Sequence, residues 1–181
     1  MKLVYLSPVK WESIAQRPHF FVKSALNAGF SSILWIEPTP SRLPKINDLR
    51  TRIRSIEENS FVKPENLRVL RLQVAPVEPI GWAYDLVNRM QLSHGIQEVL
   101  RFSGGESTTL IIGKPSRFAI KLIDAIPFRH KVFDVMDDYH SFFDGVSARS
   151  MRNLHQKLLA SVDRCLFSST MLVKKYGSRT T

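Results

Sequence analysis

Residues 2–36 read KLVYLSPVKWESIAQRPHFFVKSALNAGFSSILWI, and this stretch decides the architecture. Lys2-Leu3-Val4-Tyr5-Leu6 is a short run rich in β-formers, stopped by Ser7-Pro8, which predicts a buried strand feeding a loop. Pro18 suits the first turn of a helix, where the missing amide proton costs nothing. Behind it Phe21, Ala25 and Ala28, with Val22 and Leu26 beside them, place an apolar stripe on one face until Gly29 ends it. Ser32-Ile33-Leu34-Trp35-Ile36 then runs as a second buried strand, stopped by Pro38. Strand, helix and strand make a unit whose crossover is expected to be right-handed.

Downstream the same alternation returns after an interruption. Residues 38–66 carry Pro38, Pro40, Pro44 and Pro64 among Arg42, Lys45, Arg50, Arg52, Arg54 and Lys63, which predicts a long excursion with one short helix. Leu67 to Val74 is β-like, and Ile80 to Phe102 has helical spacing with Gly95 as its weak point. Strands follow at Thr108 to Ile112, His130 to Val135 and Arg164 to Phe167. Helices are expected over Pro115 to Ala125, from about Arg149 to Val162 on the stripe Met151, Leu154, Leu158 and Val162, and after a cap at Ser168-Ser169. The runs at 3–6, 32–36, 109–112, 131–135 and 164–167 are apolar without alternation, as central parallel strands should be. The fold class is therefore α/β: a Rossmann-like, doubly wound, mainly parallel sheet with helices on both faces, in one domain over residues 1–181.

Composition narrows the chemistry. With 181 residues, 44% hydrophobic and 23% charged, the chain is an ordinary globular one. A single cysteine, Cys165, forms no internal disulfide and reads as core, which fits a reducing compartment. The N-terminal apolar stretch is too short for a secretory signal, and no 18-residue apolar run exists to span a membrane. A formal net charge of +10 draws the chain toward phosphate, nucleic acid or anionic lipid without choosing among them.

In open α/β sheets ligands gather at the carboxyl ends of the strands. The loop Ser7 to Arg17 holds no glycine, so neither the dinucleotide fingerprint nor a P-loop is present. It offers instead Trp11-Glu12-Ser13 and Gln16-Arg17-Pro18-His19, an aromatic plate, a cation and an imidazole suited to a polyhydroxylated or anionic ligand. The alternative is that Trp11 packs on the sheet edge while Arg17 pairs with Glu12, and both readings stay open. After the fifth strand Asp134-Val135-Met136-Asp137-Asp138-Tyr139-His140 places two adjacent carboxylates at a strand end. Mutual repulsion raises the pKa of one so that it can act as a base, or the pair caps the next helix, which residue types alone favour. No third oxygen ligand accompanies them, so the metal signal is weak. Gly113-Lys114-Pro115-Ser116 reads as a turn into a helix rather than a phosphate site, and His94, His130 and His155 read as surface or packed histidines.

Taken together, Trp11-x4-Gln16-Arg17-Pro18-His19, Glu37-Pro38, Asp134-x-Met136-Asp137-Asp138-Tyr139, Ala160-Ser161-Val162-Asp163 and Phe167-Ser168-Ser169 resemble the N-terminal half of bacterial glycosyltransferases with the two-domain GT-B fold, of the family 4-like, exopolysaccharide kind. The resemblance implies that this is the acceptor-side domain, that the donor-binding domain is absent from the chain, and that the chain alone is inactive. It implies transfer of a sugar from a nucleotide-sugar to a saccharide or lipid-linked acceptor in polysaccharide or cell-envelope synthesis, with no cofactor and no metal. It also implies a base drawn from Asp138, Asp137 and His19, with Asp138 narrowly preferred. Trp11, Gln16, Arg17 and Tyr139 would contact the acceptor, Arg17 through a carboxylate or diphosphate. A cytoplasmic protein lying peripherally on the anionic inner leaflet is expected, approached through the basic excursion and the rim.

The competing reading is a non-enzymatic basic α/β module for nucleic acid or another polyanion. It requires aromatics interleaved with Lys and Arg on an exposed face, whereas these strands are apolar throughout, so no nucleic acid is expected. An α/β hydrolase lacks its GxSxG elbow here.

Overall fold

The computed structural model describes residues 1–43 and 62–177. The crossover unit forms as read: β1 (Lys2–Leu6), α1 (Arg17–Asn27) and β2 (Ser32–Ile36), followed by β3 (Leu67–Leu70). Then come α2 (Gly81–Val87), α3 (Arg89–Ser103), β4 (Thr108–Ile112), α4 (Arg117–Ala125), β5 (His130–Val135), a 3-10 turn (Tyr139–Phe142), α5 (Gly145–Ser161), β6 (Arg164–Phe167) and α6 (Thr170–Tyr176). The six strands form one sheet in the order β3-β2-β1-β4-β5-β6, every pair parallel. This is an α/β Rossmann-like, doubly wound fold. The chain runs outward from β1 to β3, then returns to place β4 on the other side of β1, so the strand order reverses between β1 and β4. Most of the basic excursion, and the short helix expected in it, lies at 44–61, outside the described residues.

Alternation along the strands sorts the core into two halves. Val4, Leu6, Leu34, Ile36, Leu110, Ile112, Phe133 and Val135 point to one face and meet Val99 of α3, Phe118 and Leu122 of α4, Leu158 of α5 and Tyr176 of α6. Leu3, Tyr5, Ile33, Trp35 and Ile111 point to the other and meet Val22 and Ala25 of α1. The buried stripe of α1 is Pro18, His19, Val22 and Ala25, so Ala28 is exposed at the helix end, not buried as the stripe predicted.

Three further expectations change. β6 is an edge strand, not a central one: it pairs with β5 alone, and its residues alternate between exposed and half-buried. Gly95 does not weaken its helix. A Cβ there would lie 2.7 Å from Phe118 Cζ and 3.0 Å from Leu72 Cδ2, so glycine lets α3 press onto α4. The helical segment breaks instead at Asn88, whose amide accepts from Ala75 N–H at 2.7 Å and donates to Ala75 O at 3.3 Å. Side-chain bonding to backbone of this kind competes with helix continuation. Finally, α5 starts at Gly145, four residues before the expected start.

Candidate functional site

The carboxyl ends of β1, β4 and β5 lie beside the point where strand order reverses, the place where open α/β sheets hold ligands. Gly113, just past β4, donates its N–H to Leu6 O at 2.8 Å and accepts from the Tyr139 hydroxyl at 2.8 Å. Its backbone comes so close that a Cβ would meet Pro8 Cδ at 2.7 Å and the Tyr5 hydroxyl at 3.3 Å. Tyr5, Gly113 and Tyr139 therefore pack together at these strand ends.

Asp134, the penultimate residue of β5, is fully buried on the same face as Tyr5. Arg17 opens α1 and donates from Nη2 to Asp134 Oδ1 at 2.7 Å, with 46% of its own side chain still exposed. Asp134 Oδ2 and the Tyr5 hydroxyl are both buried with no hydrogen-bond partner among the described residues. Burial pushes the Asp134 carboxyl above the ordinary aspartate range, and the Arg17 guanidinium opposes that without cancelling it. The Tyr5 phenol is pushed up by burial and then by the Asp134 charge. The Tyr139 phenol is pushed up by burial, then by Asp137 and Asp134. Arg17 thus shows solvent a cation whose inner edge is held by a buried carboxylate.

Several expected site residues belong to the packing instead. Trp11 is buried, with its ring edge-on to Trp35 at 5.0 Å, so it is no exposed plate for a ligand. His19 is fully buried against both indoles. Its Nδ1 accepts from Gln16 N–H at 3.1 Å and its Nε2 lies 3.0 Å from Trp11 O, which commits both nitrogens and leaves neither as a base at the strand ends. Gln16 is exposed at the start of α1. Arg17 pairs with Asp134, not Glu12, because Arg71 takes Glu12 and also reaches Glu37 Oε2 at 3.1 Å. Glu37 in turn accepts from Trp11 N–H at 3.3 Å, so this part of the recognised pattern braces the first loop.

The two adjacent carboxylates part company. Asp137 is exposed on the rim. Asp138 precedes the 3-10 turn without capping it through its side chain, which corrects the expectation that one of the pair is a helix cap. It accepts from Lys175 Nζ at 2.6 Å and from the Tyr176 hydroxyl, and His140 Nδ1 lies 2.9 Å away. Partial burial would raise its pKa, but Lys175, Tyr176 and His140 outweigh burial and hold the carboxyl below its usual value. Asp138 ties the end of β5 to α6, whose own start is capped by Ser169 accepting from Leu172 N–H at 3.3 Å.

On the far side of β1, the turn into α4 has its anion position filled by the protein. Ser116 accepts from Ala119 N–H at 3.1 Å, and the buried Glu78 accepts from Arg117 N–H at 2.7 Å. Lys114 donates to Thr39 O at 3.3 Å beside them; burial lowers its pKa and Glu78 opposes the shift. A phosphate there would displace a carboxylate already bound to the helix N-terminus, so the turn reading holds. Among the described residues, no group of three or more His, Cys, Asp and Glu is placed to hold a metal ion.

The sequence reading missed Asp134 as a site residue in its own right, along with Tyr5 and Glu78. One signal was present for Asp134: it is the only charged residue in the buried run Val132-Phe133-Asp134-Val135. A charge there needs a partner. Compared with known proteins, the chain matches no family model and no curated protein.

Proposed function

We propose that this chain is the acceptor-binding half of a glycosyltransferase that moves a sugar from a nucleotide-sugar donor to a saccharide or lipid-linked acceptor in polysaccharide or cell-envelope synthesis. One observation carries the reading: at the strand-order reversal of an all-parallel sheet, a half-exposed Arg17 is held on a buried Asp134 beside an exposed Asp137. A guanidinium fixed in this way suits a carboxylate or diphosphate of the acceptor, since its remaining N–H donors keep their fork geometry.

In such a transfer the acceptor hydroxyl oxygen forms a bond to the anomeric carbon. The bond from that carbon to the nucleoside diphosphate breaks, and the diphosphate leaves with the electron pair. The hydroxyl proton must pass to a base. Asp137 takes that role in this reading, because Asp138 is committed to Lys175 and Tyr176 and held low, which makes it a weaker base. Asp138 then acts as a positioning residue that fixes the loop carrying Asp137.

The test is calorimetric titration of this chain. A uronic-acid oligosaccharide or an alkyl diphosphate is expected to bind, with weaker binding in Arg17→Lys, where the bidentate fork is lost while the charge remains. UDP- and GDP-sugars are expected to give no tight, saturable isotherm. A tight donor site in this chain, or no response to either acceptor mimic, overturns the proposal.

A further inference from the structure

The junction of α2 and α3 leaves large apolar side chains outside while polar ones are tied down. Its polar side chains face inward: Asp85 is held by Arg117 and by Lys121 at 3.1 Å, and Asn88 is bonded to both backbone groups of Ala75. Tyr84 is fully buried and anchors the same side. Leu92 and Val99 of α3 enter the core, but four large apolar residues face solvent, with Trp82 75%, Leu86 69%, Val87 64% and Met90 85% exposed. Trp82 and Leu86 lie four apart on one face of α2, and Val87 and Met90 continue the exposed apolar stripe along the chain across the break at Asn88, with Arg89 exposed between them. Core packing explains none of them, and a contiguous exposed apolar stripe marks an interaction surface.

The charge around the stripe says what it meets. Both acids of the segment are neutralised, Asp85 by Arg117 and Lys121 and Glu98 by Arg68 and Arg101. The first turn of α2 rests on the Arg117 guanidinium, since a Cβ on Gly81 would lie 2.9 Å from Arg117 Cζ. There a groove of about 540 Å³ opens between α4 and α5, and it is lined by Arg117, Arg149 and Lys157 with no carboxylate. Exposed Trp, Leu and Met beside a cationic groove match the interface of an anionic bilayer, where apolar side chains enter the acyl boundary and cations meet the headgroups.

We infer that the exposed stripe Trp82, Leu86, Val87 and Met90, with the Arg149–Lys157 groove, is a docking surface for an anionic lipid membrane. Among the described residues no helix is long and apolar enough to cross a membrane, so this contact is peripheral. The inference goes beyond the transferase reading and does not depend on it, and neither experiment reads the other's outcome. It also differs from the approach expected of the basic excursion.

The chain carries its own reporter. Trp11 and Trp35 are buried, so among the three tryptophans only Trp82 senses solvent. With vesicles of phosphatidylglycerol and phosphatidylcholine, Trp82 emission is expected to move to the blue, to be quenched by brominated acyl chains, and to recover as salt rises. Leu86→Glu with Met90→Glu is expected to abolish the shift while circular dichroism stays that of the parent. Arg149→Ala and Lys157→Ala are each expected to weaken vesicle binding about fivefold, the loss of one cation near the surface. No shift with anionic vesicles overturns the inference, as does an equal shift with pure phosphatidylcholine. A blue shift that grows with protein concentration in the absence of lipid also overturns it, because the stripe is then an interface between two copies of this chain.

Discussion

Asp134 and Asp138 stand four residues apart at the end of one strand and live in opposite electrostatic worlds. Asp134 is fully buried, has one cation on one oxygen and no partner on the other among the described residues, and has its pKa raised. Asp138 is partly exposed, gathers Lys175, Tyr176 and His140, and has its pKa lowered. Desolvation acts on both, and the number of donors decides the sign. The contrast teaches that a carboxylate at a strand end is not defined by its place in the chain. Asp134 is a desolvated carboxyl held behind Arg17, and Asp138 is a clasp between β5 and α6.

The sharpest way to break the comparison is to remove Arg17. Taking the cation from a fully buried pair costs about 3–5 kcal/mol, and the half-exposure of Arg17 brings the expected cost of Arg17→Ala to about 2 kcal/mol. For a chain of this size that is a fall in Tm of about 4–8 °C, read by thermal unfolding. No change on Arg17→Ala would mean that the Asp134 pair contributes nothing to stability.

Asp138→Asn comes next, at about 1 kcal/mol, because the clasp is charge-assisted but partly open to solvent. The pH dependence separates the two aspartates by sign. The folded pKa of Asp138 lies below its ordinary value of 3.8, so its contribution is complete above that value and is lost as pH falls through the lowered one. The folded pKa of Asp134 lies above 3.8, so its contribution is complete below that value and is lost as pH rises through the raised one. Urea unfolding across the acid range should therefore show the stability gap between parent and Asp138→Asn closing as pH falls. The gap between parent and Asp134→Asn should move the other way, and parallel slopes would refute the contrast.

The smallest effect on stability belongs to Asp137→Asn. An exposed rim carboxylate with no ion pair among the described residues changes stability by less than about 0.5 kcal/mol. If Asp137 is the base, the same substitution in the assembled transferase lowers turnover about a hundredfold or more, so Tm and kcat separate. If turnover survives, the proton goes elsewhere and the positioning role given to Asp138 falls with it.

Residues 2–36 were enough to read β1, α1 and β2 because each signal is local: a β-rich run, a proline that starts a helix, a glycine that ends one. Gly29 does sit at φ +95 past α1, where a glycine ends a helix without strain. The site was harder to read. Trp11 and His19 look like ligand-binding residues in a list, and only the approach of Trp35 from β2 turns them into packing. Arg17 was expected to meet a ligand or pair with Glu12, and it is held instead by Asp134, 117 residues away in sequence, because Arg71 takes Glu12.

Strand identity, the alternation of helices with strands and the parallel sheet follow from hydrophobic runs and stop residues, which act over a few neighbours and need no long-range information. Which strands lie at the edges, which aspartate loses water, and which apolar helix face is left uncovered depend on contacts between segments distant in the chain. β6 has the composition of a central strand and still lies at the edge, since its place is set by which strand it pairs with. The same holds for Asp134 and Asp138: desolvation and charge pairing are properties of the assembled surroundings, and only the packed β5, α1 and α6 supply them.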